Sequence, residues 1–292
     1  KENKDMCPAS DWLLDNFYKI EEQVKEVKFN IDQEKYYRLN ALASGYFRGY
    51  PRVYALALEY ISHTDGGLDI DLFIDFINAY QKCRILSISE VWALSLVTRI
   101  ALVENIRTIC TDIYNTQLQW NKAEKDSALK MEELLVAIDE NLETERRLNT
   151  SYIEHLLTVL RRTGQEYGEV LDFLERRLEE HNTTIKDLIG YEHKEYAVRK
   201  VSIGNSITSL HTIGTLDWNQ IFEAISVVED MLSKDPANIY TYMDFESRDY
   251  YRRTITNISE NYGISEMKVA NTAINLCRHA KKLNQPEKKY HV

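Results

Sequence analysis

Hydrophobic positions recur at helical spacing along almost the whole chain. In SDWLLDNFYKIEEQVKEV, Leu13, Phe17, Ile20, Val24 and Val27 fall on one side, which predicts a helix starting from a cap at Ser10. PRVYALALEYIS, from about Arg52 to Ser62, is apolar almost all round and reads as a buried helix. HTDGG then makes a turn, with Asp65 and Gly66 supplying cap and positive-φ chemistry, and DIDLFIDFINAYQ resumes the helical pattern. Ser87 and Glu90 stand at capping-box spacing ahead of a long helix expected to end near Cys110. From Lys122 to Arg147, Met131, Leu135, Ile138 and Leu142 form a narrow stripe in a charged segment, which reads as one helix about 39 Å long with a solvated face. Further helices are expected at Tyr152 to Arg162, Tyr167 to Glu180, after Thr183, at Asn205 to Thr212, under a cap at Asp217, and in ISEMKVANTAINLCRHAKKL.

IYTYMDFESRDYYRRTI stands out for four tyrosines and three arginines in seventeen residues without glycine or proline. Asp244 is placed to cap a helix beginning at Phe245. Within it Arg248 and Arg252, and Asp249 and Arg253, are spaced i,i+4. Tyr251, Ile255, Ile258 and Tyr262 form the apolar stripe expected to face inward, with the arginines on its flank. About eleven helices and no strand make this an all-α chain. It reads as an irregular bundle, one domain over 1–292 divisible into lobes 1–120 and 121–292. No 34- or 40-residue period recurs, which disfavours a solenoid.

Composition agrees, since only ten glycines and four prolines punctuate 292 residues. A net charge of −10 leaves no basic face for a phosphate backbone, so nucleic acid is not an expected partner. Cys7, Cys83, Cys110 and Cys277 are far apart and read as reduced, mostly buried thiols. The most apolar run, VWALSLVTRIALV from Val91, is thirteen residues broken by Thr98 and Arg99, short of the ~20 that cross a bilayer. The closing NQPEKKYHV carries neither cap nor polar tail, so the chain reads as a piece of a longer one.

Reaction chemistry is hard to place. GYFRGYP lacks the lysine and the preceding strand of a phosphate loop. Ser206 in IGNSIT sits in a helical pattern, away from the strand-to-helix elbow of a serine hydrolase. The seven histidines, His63, His155, His181, His193, His211, His279 and His291, include no HExxH and read as structural or surface residues. Asp69 and Asp71 in LDID imitate a metal-holding DxD but open an amphipathic helix. No catalytic residue, metal ligand or cofactor is assigned.

Four stretches in order, GYPRVYALALEYISHTD, ISEVWALSLVTRIALVENIR, GNSITSLHTIGTLDW and DPANIYTYMDFESRDYYRRTI, make the sequence resemble the amino-terminal region of cyclic β-1,2-glucan synthases. The resemblance is closest over Asp11 to Cys110 and Gly204 to Cys277, and looser over Asn121 to Glu195. It implies a large membrane-embedded bacterial enzyme. In such enzymes a family 84 glycosyltransferase builds β-1,2-glucan from UDP-glucose on the protein itself, and a carboxy-terminal domain is similar to family 94 phosphorylases. The part seen here would precede the transferase on the cytoplasmic side of the inner membrane, with the catalytic and membrane domains as its partners.

A non-catalytic scaffold or docking domain is therefore expected. In TRIALVENIR, Arg99, Glu104, Asn105 and Arg107 interrupt an apolar segment, and buried polar groups require partners. A polar network between helices is expected from Arg52, Tyr54, Arg99, Glu104, Asn105, Asp244, Arg248, Asp249 and Arg252. The alternative is carbohydrate binding, with Trp92, Tyr240, Tyr242 and Tyr250 as the sugar-stacking surface for β-1,2-glucan.

Overall fold

A computed structural model describes residues 8–30, 36, 38–144, 147–164 and 167–283. Cys7, His291 and the closing NQPEKKYHV lie outside them. Among these residues there are twelve α-helices: α1 Pro8–Asn30, α2 Arg52–His63, α3 Ile70–Gln81, α4 Ile88–Asp126, α5 Met131–Asn141, α6 Thr150–Thr163, α7 Gly168–Glu179, α8 Ile185–Thr215, α9 Trp218–Ile225, α10 Val227–Leu232, α11 Phe245–Tyr262 and α12 Glu266–Lys282. A 3₁₀ turn covers Tyr240–Tyr242, and β1 Glu143–Thr144 pairs antiparallel with β2 Arg147–Leu148. The all-α expectation holds.

Several boundaries differ from the sequence reading. The fourth helix does not stop near Cys110, because Ile106, Ile109, Ile113, Thr116, Trp120 and Ala123 continue one buried stripe to Asp126. It ends at Ser127–Lys130, where Lys130 turns extended, so the segment from Lys122 to Arg147 is not one helix. Of the expected stripe there, Ile138 and Leu142 are buried with Leu134, while Met131 and Leu135 are only half-buried. The stretch after Thr183 and that at Asn205 are one helix, α8, whose interior glycines lower helix stability without breaking it. Conversely, the Asp217-capped segment breaks at Ser226, whose ψ is 110° and whose hydroxyl caps α10.

The chain divides into two compact units that interleave in sequence, unlike a split at residue 120. One takes in Asp65–Gly67, Leu102–Thr208 and the described chain up to Val24. Its core is built from α5, α6, α7 and parts of α4 and α8, with Ile138, Tyr152, Ile153, Leu156, Val170 and Leu174 wholly buried. The buried Glu192 accepts the hydroxyls of Thr150 and Ser151 at the start of α6. There the free N–H groups of the first helical turn favour an anion. The other unit, Lys25–Thr64, Leu68–Ala101 and the described chain from Ser209, centres on Val53, Ala57, Phe73, Ile77, Leu94, Phe222 and Ile274.

In the first unit Gly66 has φ +77, and a Cβ there would lie 2.2 Å from Ser206 Oγ and 2.9 Å from the Ser202 carbonyl. Gly66→Ala is therefore expected to destabilise by more than ~1 kcal/mol, measured as a lower urea midpoint, because alanine resists positive φ and has no room. An unchanged midpoint would show that this turn relaxes freely.

Candidate functional site

The second unit contains the most unusual polar arrangement. Asp217 accepts from Asn219 and Gln220 N–H and starts α9. At the Ser226 break the freed Ile225 carbonyl accepts from Gln81 Nε2 at 2.8 Å, and α10 restarts with Glu229 in its first turn. Asp235 then accepts the N–H groups of Ala237, Ile239 and Tyr240, folding the chain back. Asp244 caps α11 through Ser247 N–H.

These local signals bring four polar side chains together. Glu229 Oε2 accepts from Arg252 Nε at 2.8 Å and from the Tyr240 hydroxyl at 2.8 Å, and its Oε1 accepts from Arg248 Nη1 at 3.1 Å. Arg252 is the largest wholly buried side chain among the described residues. Its guanidinium carbon lies 4.5 Å from the centre of the Phe245 ring and 4.9 Å from that of Phe222, which itself stacks on Trp92 at 4.5 Å. Nη1 and Nη2 make no hydrogen bond. The Glu223 carboxylate lies 3.6 Å from Nη2, and it also lies 2.8 Å from Arg248 Nη2 without hydrogen-bond alignment. Two aromatic faces thus stand in for missing hydrogen bonds, as cation–π contacts are strongest where water is excluded. Burial first and the Glu229 charge second push the Tyr240 phenol far up, which keeps it a donor.

A second buried pair lies at the start of α4. Arg52 Nε and Nη2 donate to the two Glu90 oxygens at 2.6 Å each, and Nη2 also reaches the Ile85 carbonyl at 2.9 Å. Glu90 closes the capping box: its Oε2 accepts Ser87 N–H at 2.8 Å while Ser87 Oγ accepts Glu90 N–H. Glu266 accepts the next amide, Ile88 N–H, at 2.8 Å and the Thr256 hydroxyl at 2.7 Å. Burial drives the Glu90 carboxyl upward, but the Arg52 and Ser87 bonds together outweigh it and hold the group below its ordinary 4.5.

Beside these pairs opens a cleft of about 1090 Å³, lined by Arg38, Asn40, Arg52, Ser89, Trp92, Glu260 and Glu266 among others. Asn40 and Arg52 also join through the Arg52 N–H to Asn40 carbonyl bond at the base of an irregular hairpin. Its exposed Tyr46 and Tyr50 gather with Phe47 and Tyr54 in edge and tilted ring contacts.

The nine expected network residues do not form one network. Arg248 and Arg252 share Glu229, and Arg52 belongs to the second pair. Tyr54 sits in the hairpin's ring cluster, and Arg99 pairs with Glu26 at 2.7 Å. Glu104 holds Arg107 near the surface, and Asn105 donates to Ser202 and Ser206. Asp244 is a cap, and Asp249 pairs with the exposed Arg253 at 2.7 Å. The α11 stripe is also different: Arg252 and Ile255 are its buried residues, while Ile258 and Tyr262 are exposed, because the aromatic cage takes the arginine inward. Tyr240 is wholly buried and bonded to Glu229, so it cannot stack on a sugar. Tyr242 and Tyr250 are exposed but lie outside the cleft lining, which Trp92 alone of the four joins. Elsewhere Cys83 is exposed instead of buried, Asp69 caps α3 through Leu72 N–H, and buried His155 stacks on Trp120. Glu229 and the two phenylalanines went unnoticed in sequence, where an acid in VVED has no signature apart from a surface one.

No family model matches the chain. It is 30% identical over 280 residues, 94% of its length, to the cyclic β-(1,2)-glucan synthase NdvB of Rhizobium meliloti (strain 1021). The chain is related to the cyclic β-(1,2)-glucan synthases. It spans about a tenth of the length of that relative. The similarity to the synthase is not confined to the outer segments, since 94% coverage takes in most of the charged middle. Of the stretches that resemble the synthases, the first two hold Arg52 and Glu90, and the last holds Asp235, Tyr240, Arg248 and Arg252.

Arg252→Ala is expected to destabilise by about 3–5 kcal/mol, because it leaves Glu229 buried and short of a cation. Arg248→Ala, at a partly exposed position, should lose about 1–2 kcal/mol. Equal shifts in melting temperature for the two would show that burial does not separate them. For Glu90 the folded-state value is depressed, so its contribution is complete above pH 4.5 and fades as pH falls through the lower folded value. Glu90→Gln should be less stable at pH 7 yet lose less on acidification. A parallel pH profile would contradict the pairing.

Proposed function

We propose that this chain is a helical scaffold or docking domain of a cyclic β-1,2-glucan synthase, with no catalysis of its own. The observation that carries this reading is that the buried arginines of the second unit are both engaged with buried carboxylates. Arg252 and Glu229, and Arg52 and Glu90, hold helices in place. The fractional coverage of the relative supports it too, because nine-tenths of that synthase lies outside the matched span. On this reading the partners are the catalytic and membrane domains of the longer polypeptide, and the site of work is the cytoplasmic face of the bacterial inner membrane. Among the described residues no helix is long and apolar enough to cross a membrane, which fits attachment through other segments.

Removing the matched span from the Rhizobium meliloti synthase should abolish or strongly reduce cyclic glucan formation, measured as product per assembled enzyme. The purified chain given UDP-glucose should release no UDP. Full glucan synthesis without the span, or turnover by the chain alone, would reject the scaffold reading.

A further inference from the structure

None of the ion pairs that fasten the walls of the cleft fills it. We infer that it binds a short stretch of neutral β-1,2-glucan chain, an inference that rests on the relationship to the glucan synthases and deepens the scaffold reading. Its volume, about 1090 Å³, lies at the top of the ~300–1,000 Å³ range of ordinary ligand clefts, room enough for more than one hexose ring. Its charge excludes a preference for anions. Two arginines, Arg38 and Arg52, and two glutamates, Glu260 and Glu266, balance in the lining, and Arg52 is already bound bidentately by Glu90. Phosphate or nucleotide recognition needs a surplus of donors and positive charge, which this lining lacks.

What remains suits a polyhydroxylated ring. Trp92, 36% exposed, lines the cleft and is held rigid by its stack on Phe222, giving an apolar surface for sugar C–H groups. The exposed Ser89 hydroxyl, Asn40 amide and Glu260 carboxylate offer donors and acceptors at the same wall. Of the expected surface of Trp92, Tyr240, Tyr242 and Tyr250 only Trp92 is kept, and the site lies at the mouth between α4, α11 and α12.

Calorimetric titration of the whole chain with linear β-1,2-glucan oligosaccharides, alongside maltooligosaccharides and UDP-glucose, tests this. Binding of the β-1,2-glucan is expected, weaker or absent for the other two. Trp92→Ala should weaken it but can also loosen Phe222. Ser89→Trp, which obstructs the cleft from an exposed position, therefore carries the decision: affinity should fall at least about tenfold with the melting temperature unchanged. No heat at millimolar β-1,2-glucan, unaltered affinity in Ser89→Trp, or UDP-glucose binding as tightly as glucan would overturn the inference. If the chain binds no glucan while the truncated synthase is inactive, the cleft assignment falls and the scaffold role stands.

Discussion

A guanidinium sealed away from water sets the terms for everything around it. Arg252 has one good hydrogen bond, to Glu229, and two aromatic neighbours. Moving an ionised group inside is tolerable only when opposite charge and polarisable surface meet it on arrival. The Ser226 break, the Asp235 turn and the Asp244 cap are the local devices that deliver Glu229, Tyr240, Phe222 and Phe245 to it. Each is a short-range hydrogen-bonding solution. Their joint result is a long-range contact between segments more than twenty residues apart.

This organisation explains what could be read from sequence. Caps were legible because their chemistry is contained in four residues: Ser87 with Glu90, Asp217, and Asp244 all act where their spacing placed them. Helix ends without a cap were not. The run through Cys110 continues because Thr116 and Trp120 keep the buried stripe going, whereas a hydrophobicity pattern alone counts Thr116 as an interruption. α8 runs unbroken where two separate helices were expected. The site was half visible: its arginines were singled out, but nothing nearby in sequence names Glu229 as their partner. Helical periodicity put Arg252 on the flank of α11, and only the facing phenylalanines decide that it turns inward.

Both buried pairs involve residues that serve secondary structure as well. Glu90 is at once a helix cap and the partner of Arg52, and Glu266 holds an amide of one helix from the first turn of another. Helix formation and tertiary docking are then the same event at these positions. A domain built this way resists shifts in helix register. Breaking one partner of such a pair is far more damaging than replacing both with apolar side chains of similar shape, since the penalty lies in the charge left behind.

Tyr240 and Tyr242 are two residues apart in the same short turn, yet one phenol is shut inside on a carboxylate and the other stands 82% in solvent. To a nitrating or iodinating reagent, or to a modifying enzyme, the run IYTYM therefore presents a single accessible ring. Covalent labelling of the folded chain would mark Tyr242 and pass over its neighbour, and any labelling of Tyr240 would signal that the aromatic cage had opened.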